Sequence, residues 1–330
     1  MDLLVLWIVV FLALSFDFIN GFHDTANAIA TAVSTRALKP RVAIIMAATM
    51  NFLGAVTFTG VAATIGKGVA NPAALSNGVA IVIAALISAI AWNLITWWFG
   101  IPSSSSHALI GSLAGAVIGG AGISNINSEG LIKIVKALLL SPVLAFAAGF
   151  IIMWILKQIF AKSSPHQVNK GFRFAQILTA AFQSFSHGTN DAQKAMGIIV
   201  FALVASDIQT TMDVPMWVKI SAATSMALGT SVGGWKIIKT MGTKIFKIEP
   251  INGFAADAGS AIVILTATML HLPVSTTHVI TSSILGVGSA KRFSAVKWGV
   301  AGRIGIAWVI TIPITVLMAM FTYWIVQFFF

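Results

Sequence analysis

The sequence of 330 residues contains no cysteine, a single tyrosine, and few charged residues, which together make up 9% of the chain. The lack of cysteine excludes disulfides and any thiolate site for a metal or a redox reaction. A soluble domain has about 25% charged residues, so the low charge excludes an ordinary soluble protein. Hydrophobic residues instead make up 58% of the chain. This composition predicts a multi-pass protein of the lipid bilayer.

Basic residues outnumber acidic ones by 20 to 9. They are scattered through short segments and form no single patch, so nucleic acid is not a predicted partner. Most of them fall in the segments 36–41, 157–173, 236–247 and 291–303. Because basic residues are typical of cytoplasmic loops, we expect these segments on the cytoplasmic side of a plasma membrane and both termini on the outer side. The first segment lacks the basic start and the cleavage site of a signal peptide, which predicts a retained helix.

Long apolar stretches predict five membrane crossings in each half of the chain. The crossings are expected at 1–35, 42–66, 78–100, 107–122, 131–157, 174–205, 216–235, 250–270, 274–290 and 303–327.

Three motifs of the first half return in the second half in the same order. "NGFHDTANA" (20–28) resembles "HGTNDAQKA" (187–195), "AATMNFLG" (47–54) resembles "AATSMALG" (222–229), and "IPSSSSHALIGSLAG" (101–115) resembles "LPVSTTHVITSSILG" (272–286). An odd number of crossings per copy inverts the second copy. We therefore predict an all-α fold of two inverted-topology repeats with broken helices, 1–157 and 174–330, joined by a short cytoplasmic linker, 158–173. This layout is typical of secondary transporters.

The first pair of motifs places Asp24 and Asp191 at matching positions inside the membrane. A buried aspartate costs several kcal/mol unless it is paired or holds a cation. Side chains with oxygen atoms surround both, and carbonyl groups freed by helix unwinding at Gly21 and Gly188 would add ligands. Helix capping is the structural alternative. The candidate cation ligands are Asn20, Asp24, Asn27, Asp191, Gln193 and Asp257, the last either as a ligand or as a salt-bridge partner.

The third pair of motifs places a proline before a run of hydroxyl residues. Proline ends one helix, and the hydroxyls stand where the next helix begins with free backbone N–H groups. Such a helix start can bind an anion, or the hydroxyls can simply cap the helix. His107 and His278 follow, with either a structural or a proton-handling role. Lys194 could neutralise the anion or pair with Asp191.

These motifs resemble those of the PiT family of inorganic phosphate transporters over essentially the whole chain. The resemblance rests on "GFHDTANA", "GTNDAQKA", "IPSSSSH", "EPINGFAAD" and "LPVSTTH". It implies symport of phosphate with Na⁺ or H⁺ through an inverted-repeat fold with two re-entrant helical hairpins. By position it implies cation sites, with Na⁺ as one alternative, at Asp24 and Asp191. It also implies that the anion is surrounded by Thr25, Ser104, Ser105, Ser106, Asn190, Ser275, Thr276 and Thr277.

Two departures from the family pattern leave the coupling ion open. His23 stands where the signature usually has asparagine, and Asn51 stands where sodium-coupled members often have glutamate. Na⁺, H⁺, and a neutral metal phosphate moved with H⁺ all remain alternatives. Sulfate is the alternative substrate, but an acidic acceptor near the anion would favour phosphate, which can keep a donor proton.

Other classes fit the sequence less well. Catalytic motifs such as H-E-x-x-H and G-x-S-x-G are absent from the sequence, so we expect no enzyme and no cofactor beyond the coupling ion. An anion channel would not need intramembrane carboxylates. No helix face identifies a dimer contact, although a homodimer is compatible with the sequence. The expected mechanism is alternating access at a midplane site, in which one repeat rocks against the other after cations and phosphate bind.

Overall fold

The computed structural model describes residues 3–75 and 77–329, so residues 1 and 330, which bound the two predicted repeats and form the two termini, lie outside the described part. Within that part the chain is helical, and an isolated bridge joins Ala70 to Ile126. The helices are α1 (Leu3–Ser34), α2 (Pro40–Ala55), α3 (Gly60–Gly68), α4 (Gly78–Phe99), α5 (Ser105–Ala121), α6 (Ser128–Ile159), α7 (Pro165–Ala205), α8 (Met216–Val232), α9 (Trp235–Lys239), α10 (Pro250–Met269), α11 (Thr276–Lys291) and α12 (Trp298–Val326).

By length and composition, five helices of the described residues can cross a membrane: α1, α4, α6, α10 and α12. The pair α2 and α3, bent by 73°, makes a sixth if it counts as one span. This test of length and composition identifies fewer spans than the ten predicted crossings. Helices α5 and α11 have 17 and 16 residues, and at about 1.5 Å per residue each is shorter than the roughly 30 Å apolar core of a bilayer.

Helices α1 and α7 run without interruption through Gly21 and Gly188. The predicted unwinding at these glycines is therefore wrong. A Cβ atom at Gly188 would lie 2.2 Å from the carbonyl oxygen of Asn51, and one at Gly21 would lie 2.4 Å from that of Met226. The glycines instead allow α7 to approach α2, and α1 to approach α8, at backbone distance. The chain is broken elsewhere, between α2 and α3.

The two halves of the chain interlock. Helix α1 packs against α8, and α7 packs against α2. In the same way α5 packs against α12, and α11 packs against α6. The halves are therefore not separate bodies, since each supplies helices that support the other.

The predicted linker 158–173 is largely helical. Helix α6 ends at Ile159 and α7 begins at Pro165. Ser164 caps α7 by accepting a hydrogen bond from the backbone N–H of Gln167, and proline is favoured at the first helical position. The non-helical connection is thus limited to residues 160–164.

Short backbone contacts join loops at the two faces of the bundle. The N–H of Asn127 donates to the carbonyl of Val69 over 2.8 Å, and the N–H of Lys297 donates to the carbonyl of Ile245 over 2.9 Å. The second contact connects two of the basic segments, 236–247 and 291–303, so these two lie on a common face.

Candidate functional site

The middles of α1 and α7 meet the first residues of α5 and α11 in the centre of the bundle. Asp24 accepts hydrogen bonds from Ser105 at the start of α5 (3.2 Å) and from Thr277 at the start of α11 (3.3 Å). Asp191 accepts one from Thr276 over 3.2 Å. These side chains are at most 1% exposed. The structure thus brings both predicted aspartates into direct contact with the predicted hydroxyl residues.

The first residues of α5 and α11 have the same local geometry. Ser104 accepts a hydrogen bond from the backbone N–H of His107 (3.1 Å), and Ser275 accepts one from that of His278 (3.2 Å). Both serines therefore act as helix caps. Of the residues that follow them, Ser105, Thr276 and Thr277 turn their hydroxyl groups to the aspartates.

Further hydrogen bonds hold the two helix starts to each other and to α1. Ser106 at the start of α5 donates to the carbonyl of Val274 over 2.8 Å. The amide of Asn27 donates to Thr277 over 2.9 Å. The start of α11 is thus tied both to the start of α5 and to α1.

Each aspartate also has a nitrogen partner, and the two partners differ. Asp24 lies 2.7 Å from Nδ1 of His23. Asp191 forms an ion pair of 2.7 Å with the ammonium of Lys194, which also donates to Ser105 over 3.3 Å. Asn20 donates to the other oxygen of Asp191 over 3.3 Å. Lys194 therefore links the carboxylate of α7 to the hydroxyl groups of α5.

The orientation of His187 is set by its neighbours. The hydroxyl of Thr230 donates to the carbonyl of Met226, so its oxygen accepts from the amide of Asn51, over 2.9 Å in each case. The amide oxygen of Asn51 therefore faces Nδ1 of His187, at 3.1 Å, and this nitrogen carries the hydrogen.

The other ring nitrogen, Nε2, lies 3.5 Å from an oxygen of Asp191. Asp24, His187 and Asp191 each offer one ligand atom, and these atoms lie within 4.8 Å of one another. Two carboxylates this close repel each other unless a positive charge lies near them. The cluster can hold a cation.

Two predicted site residues on α1 and α7 turn away from this centre. Thr25 donates to the carbonyls of Gly21 (2.7 Å) and Thr230 (3.3 Å), so it faces α8. Gln193 accepts from the backbone N–H of Val61 over 2.7 Å and thereby caps the start of α3.

Two further predicted residues bind other parts of the fold. Asn190 donates to Thr268 (3.0 Å) and accepts from the N–H of Val274 (3.2 Å), which positions the segment before α11. Asp257 accepts from Thr31 over 2.7 Å. Thr31 lies about two turns beyond Asp24 on α1, so Asp257 belongs to a separate polar cluster.

The two histidines after the caps form a stack. The rings of His107 and His278 have centroids 4.4 Å apart, and His278 stacks on Trp308 at 3.9 Å. The stack joins the two helix starts.

Asp17 is a buried charged residue that the motif analysis did not single out. Its side chain is 0% exposed, and among the described residues neither carboxylate oxygen has a hydrogen-bond partner. It precedes Asp24 by seven residues, about two turns, so both lie on one face of α1. A single acidic residue in the apolar run "ALSFDFIN" was the available signal.

The fold and the site together define a multi-pass helical membrane protein with a buried polar centre. The sequence model of the phosphate transporter family matches residues 20–319. A Bacillus subtilis protein described as a probable low-affinity inorganic phosphate transporter is 59% identical over 99% of both chains. A Rhizobium meliloti protein with the same description is 47% identical over 94% of this chain and 93% of its own.

Among solved structures, a sodium-dependent phosphate transporter matches with a TM-score of 0.88 and 28% identity, over 99% of this chain and 100% of the other. The chain belongs to the phosphate transporter family, as the motifs indicated. Phosphate is the substrate of that family, and the chain is a transporter and not an enzyme.

Proposed function

We propose that the protein moves inorganic phosphate across the plasma membrane by symport with a cation, Na⁺ or H⁺, through alternating access. The observation that carries this proposal is the direct hydrogen bonding of the helix-start hydroxyls to Asp24 and Asp191. A cation on these carboxylates lowers the electrostatic cost of placing an anion beside them. Binding of each ion thus favours binding of the other.

The cation position that we propose is the cluster of Asp24, His187 and Asp191, with Asn20 beside it. Gln193 and Asp257 are left out of this set because their side chains lie elsewhere. A sodium-dependent structural neighbour supports Na⁺. An imidazole beside Asp191, that of His187, equally supports H⁺.

The anion position that we propose is the gap between the starts of α5 and α11. Ser105, Ser106, Thr276 and Thr277 supply hydroxyl donors, and the uncapped backbone N–H groups and the helix dipoles add positive potential. Ser104 and Ser275 shape this gap as caps. Thr25 and Asn190 support the surrounding helices.

For the architecture, we propose two inverted repeats, 1–157 and 174–330, with α4–α5 and α10–α11 as re-entrant hairpins. Each hairpin enters and leaves the membrane on the same side and so adds no net crossing. An odd number of membrane crossings then remains in each half, so the second repeat is still inverted relative to the first. The basic segments place both termini outside. Because each half packs helices of the other, the rearrangement occurs between groups of helices drawn from both halves, and not between the halves as two blocks.

The test is uptake of ³²P-phosphate into proteoliposomes with an imposed Na⁺ or H⁺ gradient and excess sulfate as competitor. Asp24→Asn and Asp191→Asn should each abolish gradient-driven uptake, because a neutral amide no longer attracts the cation. Asp207→Asn is the matched control, since Asp207 is exposed and its φ of 57° suits asparagine equally well.

One gradient should drive uptake that resists sulfate. Uptake that depends on neither gradient and does not saturate would indicate an anion channel. Full inhibition of phosphate uptake by sulfate would indicate a sulfate permease. Normal uptake by either aspartate variant would contradict the proposed cation position.

A further inference from the structure

The matching helices α1 and α7 carry different charges at two equivalent positions. Aligning Gly21 with Gly188 and Asp24 with Asp191 places Lys194 opposite Asn27 and places Asp17 opposite Ser184. The first helix thus gains a carboxylate where its counterpart has a hydroxyl. The second gains an ammonium where its counterpart has an amide. The two exchanges cancel in net charge.

Lys194 makes the contact in the second half that its neutral counterpart, Asn27, makes in the first half. Asn27 bonds Thr277 at the start of α11, and Lys194 bonds Ser105 at the start of α5. The ammonium is 1% exposed and lies 2.7 Å from Asp191, which is 0% exposed. A mobile cation at this oxygen of Asp191 would have to displace it. The position is already filled by a charge that belongs to the protein.

Asp24 has no such built-in cation. Among the residues that the structure describes, its ion-pair partner is His23, and no lysine or arginine reaches it. The two half-sites therefore differ, in that one aspartate is available to a mobile cation and the other is neutralised in part by Lys194.

Asp17 lies at the other end of the same contact between helices. Asn20 reaches Asp191 and the carbonyl of Asn27 accepts from Gln183, so α1 and α7 run antiparallel. Asp17, one turn before Asn20, thus lies towards Lys194.

The oxygen ligands around Asp17 are unused. Both carboxylate oxygens of Asp17 and the amide oxygen of Asn20 have no hydrogen-bond partner among the described residues. Both side chains are 0% exposed. Hard oxygen atoms that are buried and unpaired are the ligands a small cation prefers.

We propose that the carboxylate of Asp17 and the amide oxygen of Asn20 form a second cation site, for the cation that Lys194 excludes from Oδ1 of Asp191. The other oxygen of Asp191 stays in the proposed cluster with Asp24 and His187. This inference rests on the proposed symport. Its ligand is the cation whose gradient drives uptake. The lysine and the added aspartate are then a compensating pair, which moves one cation from Asp191 on α7 to Asp17 on α1, about one turn from Asn20, and keeps the charge of the site the same.

The test replaces each of the two residues with the residue at the equivalent position in the other half. Asp17→Ser removes the second site, and Lys194→Asn vacates Asp191. The double variant Asp17→Ser/Lys194→Asn makes the two helices equivalent. The number of cations moved per phosphate is obtained from the membrane voltage at which net flux stops in proteoliposomes. This number is compared between the wild-type protein and each variant.

We expect Asp17→Ser to lower the number of cations per phosphate by one, or to abolish coupled uptake. The double variant should recover the wild-type number, because Oδ1 of Asp191 is then free to bind the second cation. Unchanged coupling in Asp17→Ser, or a double variant no better than the worse single variant, would overturn the proposal.

A binding measurement keeps the proposal testable if the single variants do not transport. Thermal unfolding of the detergent-purified proteins is followed by tryptophan fluorescence in NaCl or choline chloride and over a pH series. The stabilisation by the coupling cation should shrink in Asp17→Ser and return in the double variant. Stabilisation by the cation that is equal in wild type and Asp17→Ser would overturn the second site. Absence of gradient-driven uptake by the wild-type protein would instead count against the proposed function.

Discussion

The contact of α2 with α7 makes Gly188→Ala a strong test of the packing around the site. The new Cβ would lie 2.2 Å from the carbonyl oxygen and 2.7 Å from the Cα of Asn51. Nonbonded carbon atoms settle at about 3.5–4.0 Å, so the two helices would have to separate by roughly 1 Å. Asn51 orients His187, and therefore the same displacement disturbs the cation cluster.

The magnitude follows from comparing Gly188 with Gly171 on the same helix. Gly171 is exposed, and a Cβ there meets nothing within 4 Å. Alanine in place of a helical glycine gains up to about 1 kcal/mol in helix propensity. This gain is common to both variants, whereas overpacking costs Gly188→Ala about 1–3 kcal/mol. Gly188→Ala should thus be the less stable of the two by about 1–3 kcal/mol.

Thermal unfolding in one detergent at one scan rate, together with ³²P-phosphate uptake, measures both effects. We expect Gly171→Ala to unfold at or above the wild-type temperature with normal uptake. Gly188→Ala should unfold below the wild-type temperature and lose uptake. A Gly188→Ala protein as stable and as active as Gly171→Ala would refute close helix approach as the reason for this glycine.

Three further substitutions test individual contacts. Asn51→Leu should cost about 1–3 kcal/mol in thermal unfolding, because the N–H of His187 loses its acceptor, and it should raise the cation concentration needed for half-maximal uptake; an unchanged cation requirement would contradict the orientation of His187. Ser106→Ala removes the bond between the starts of α5 and α11 and should speed hydrogen exchange there, whereas unchanged exchange would show that this bond does not hold them together. Lys291→Ala breaks an ion pair with Glu249 whose side chains are 36% and 40% exposed, so thermal unfolding in low and high salt should change by about 1 kcal/mol or less, and a larger change would show that the pair has a structural role.

The sequence was sufficient for the parts of the site that are encoded by copied local motifs. Asp24 and Asp191 stand at matching places in two copies, and the runs after Pro102 and Pro273 are local signals for a helix start. Such signals depend on a few neighbouring residues, so they can be recognised without knowledge of tertiary packing. The structure brings these two sets together as the proposed transport site requires.

The direction of each side chain around its helix was not used in predicting the site. Gln193 follows Asp191 by two residues and so points about 200° away from it. Asp17, Asn20, Asp24 and Asn27 instead follow one another by three or four residues and share a face. That spacing would have identified Asp17 and removed Gln193. Helix direction does not explain the outcome at Gly21 and Gly188. No local sequence pattern shows that another backbone passes close to these two glycines.

In this structure the hydroxyls proposed to bind phosphate donate to the carboxylates proposed to bind the cation, and each hydrogen bond to a charged group is worth about 1.5–3 kcal/mol. Phosphate entering alone would accept hydrogen bonds from these hydroxyls, and Asp24 and Asp191 would then keep only their nitrogen partners, His23 and Lys194 among them. A cation entering alone would take the carboxylate oxygens and leave the hydroxyl donors unpaired. Either half-loaded state would cost free energy that the second ion would recover. Under the proposed symport, the same hydrogen bonds would therefore favour the movement of the two ions together.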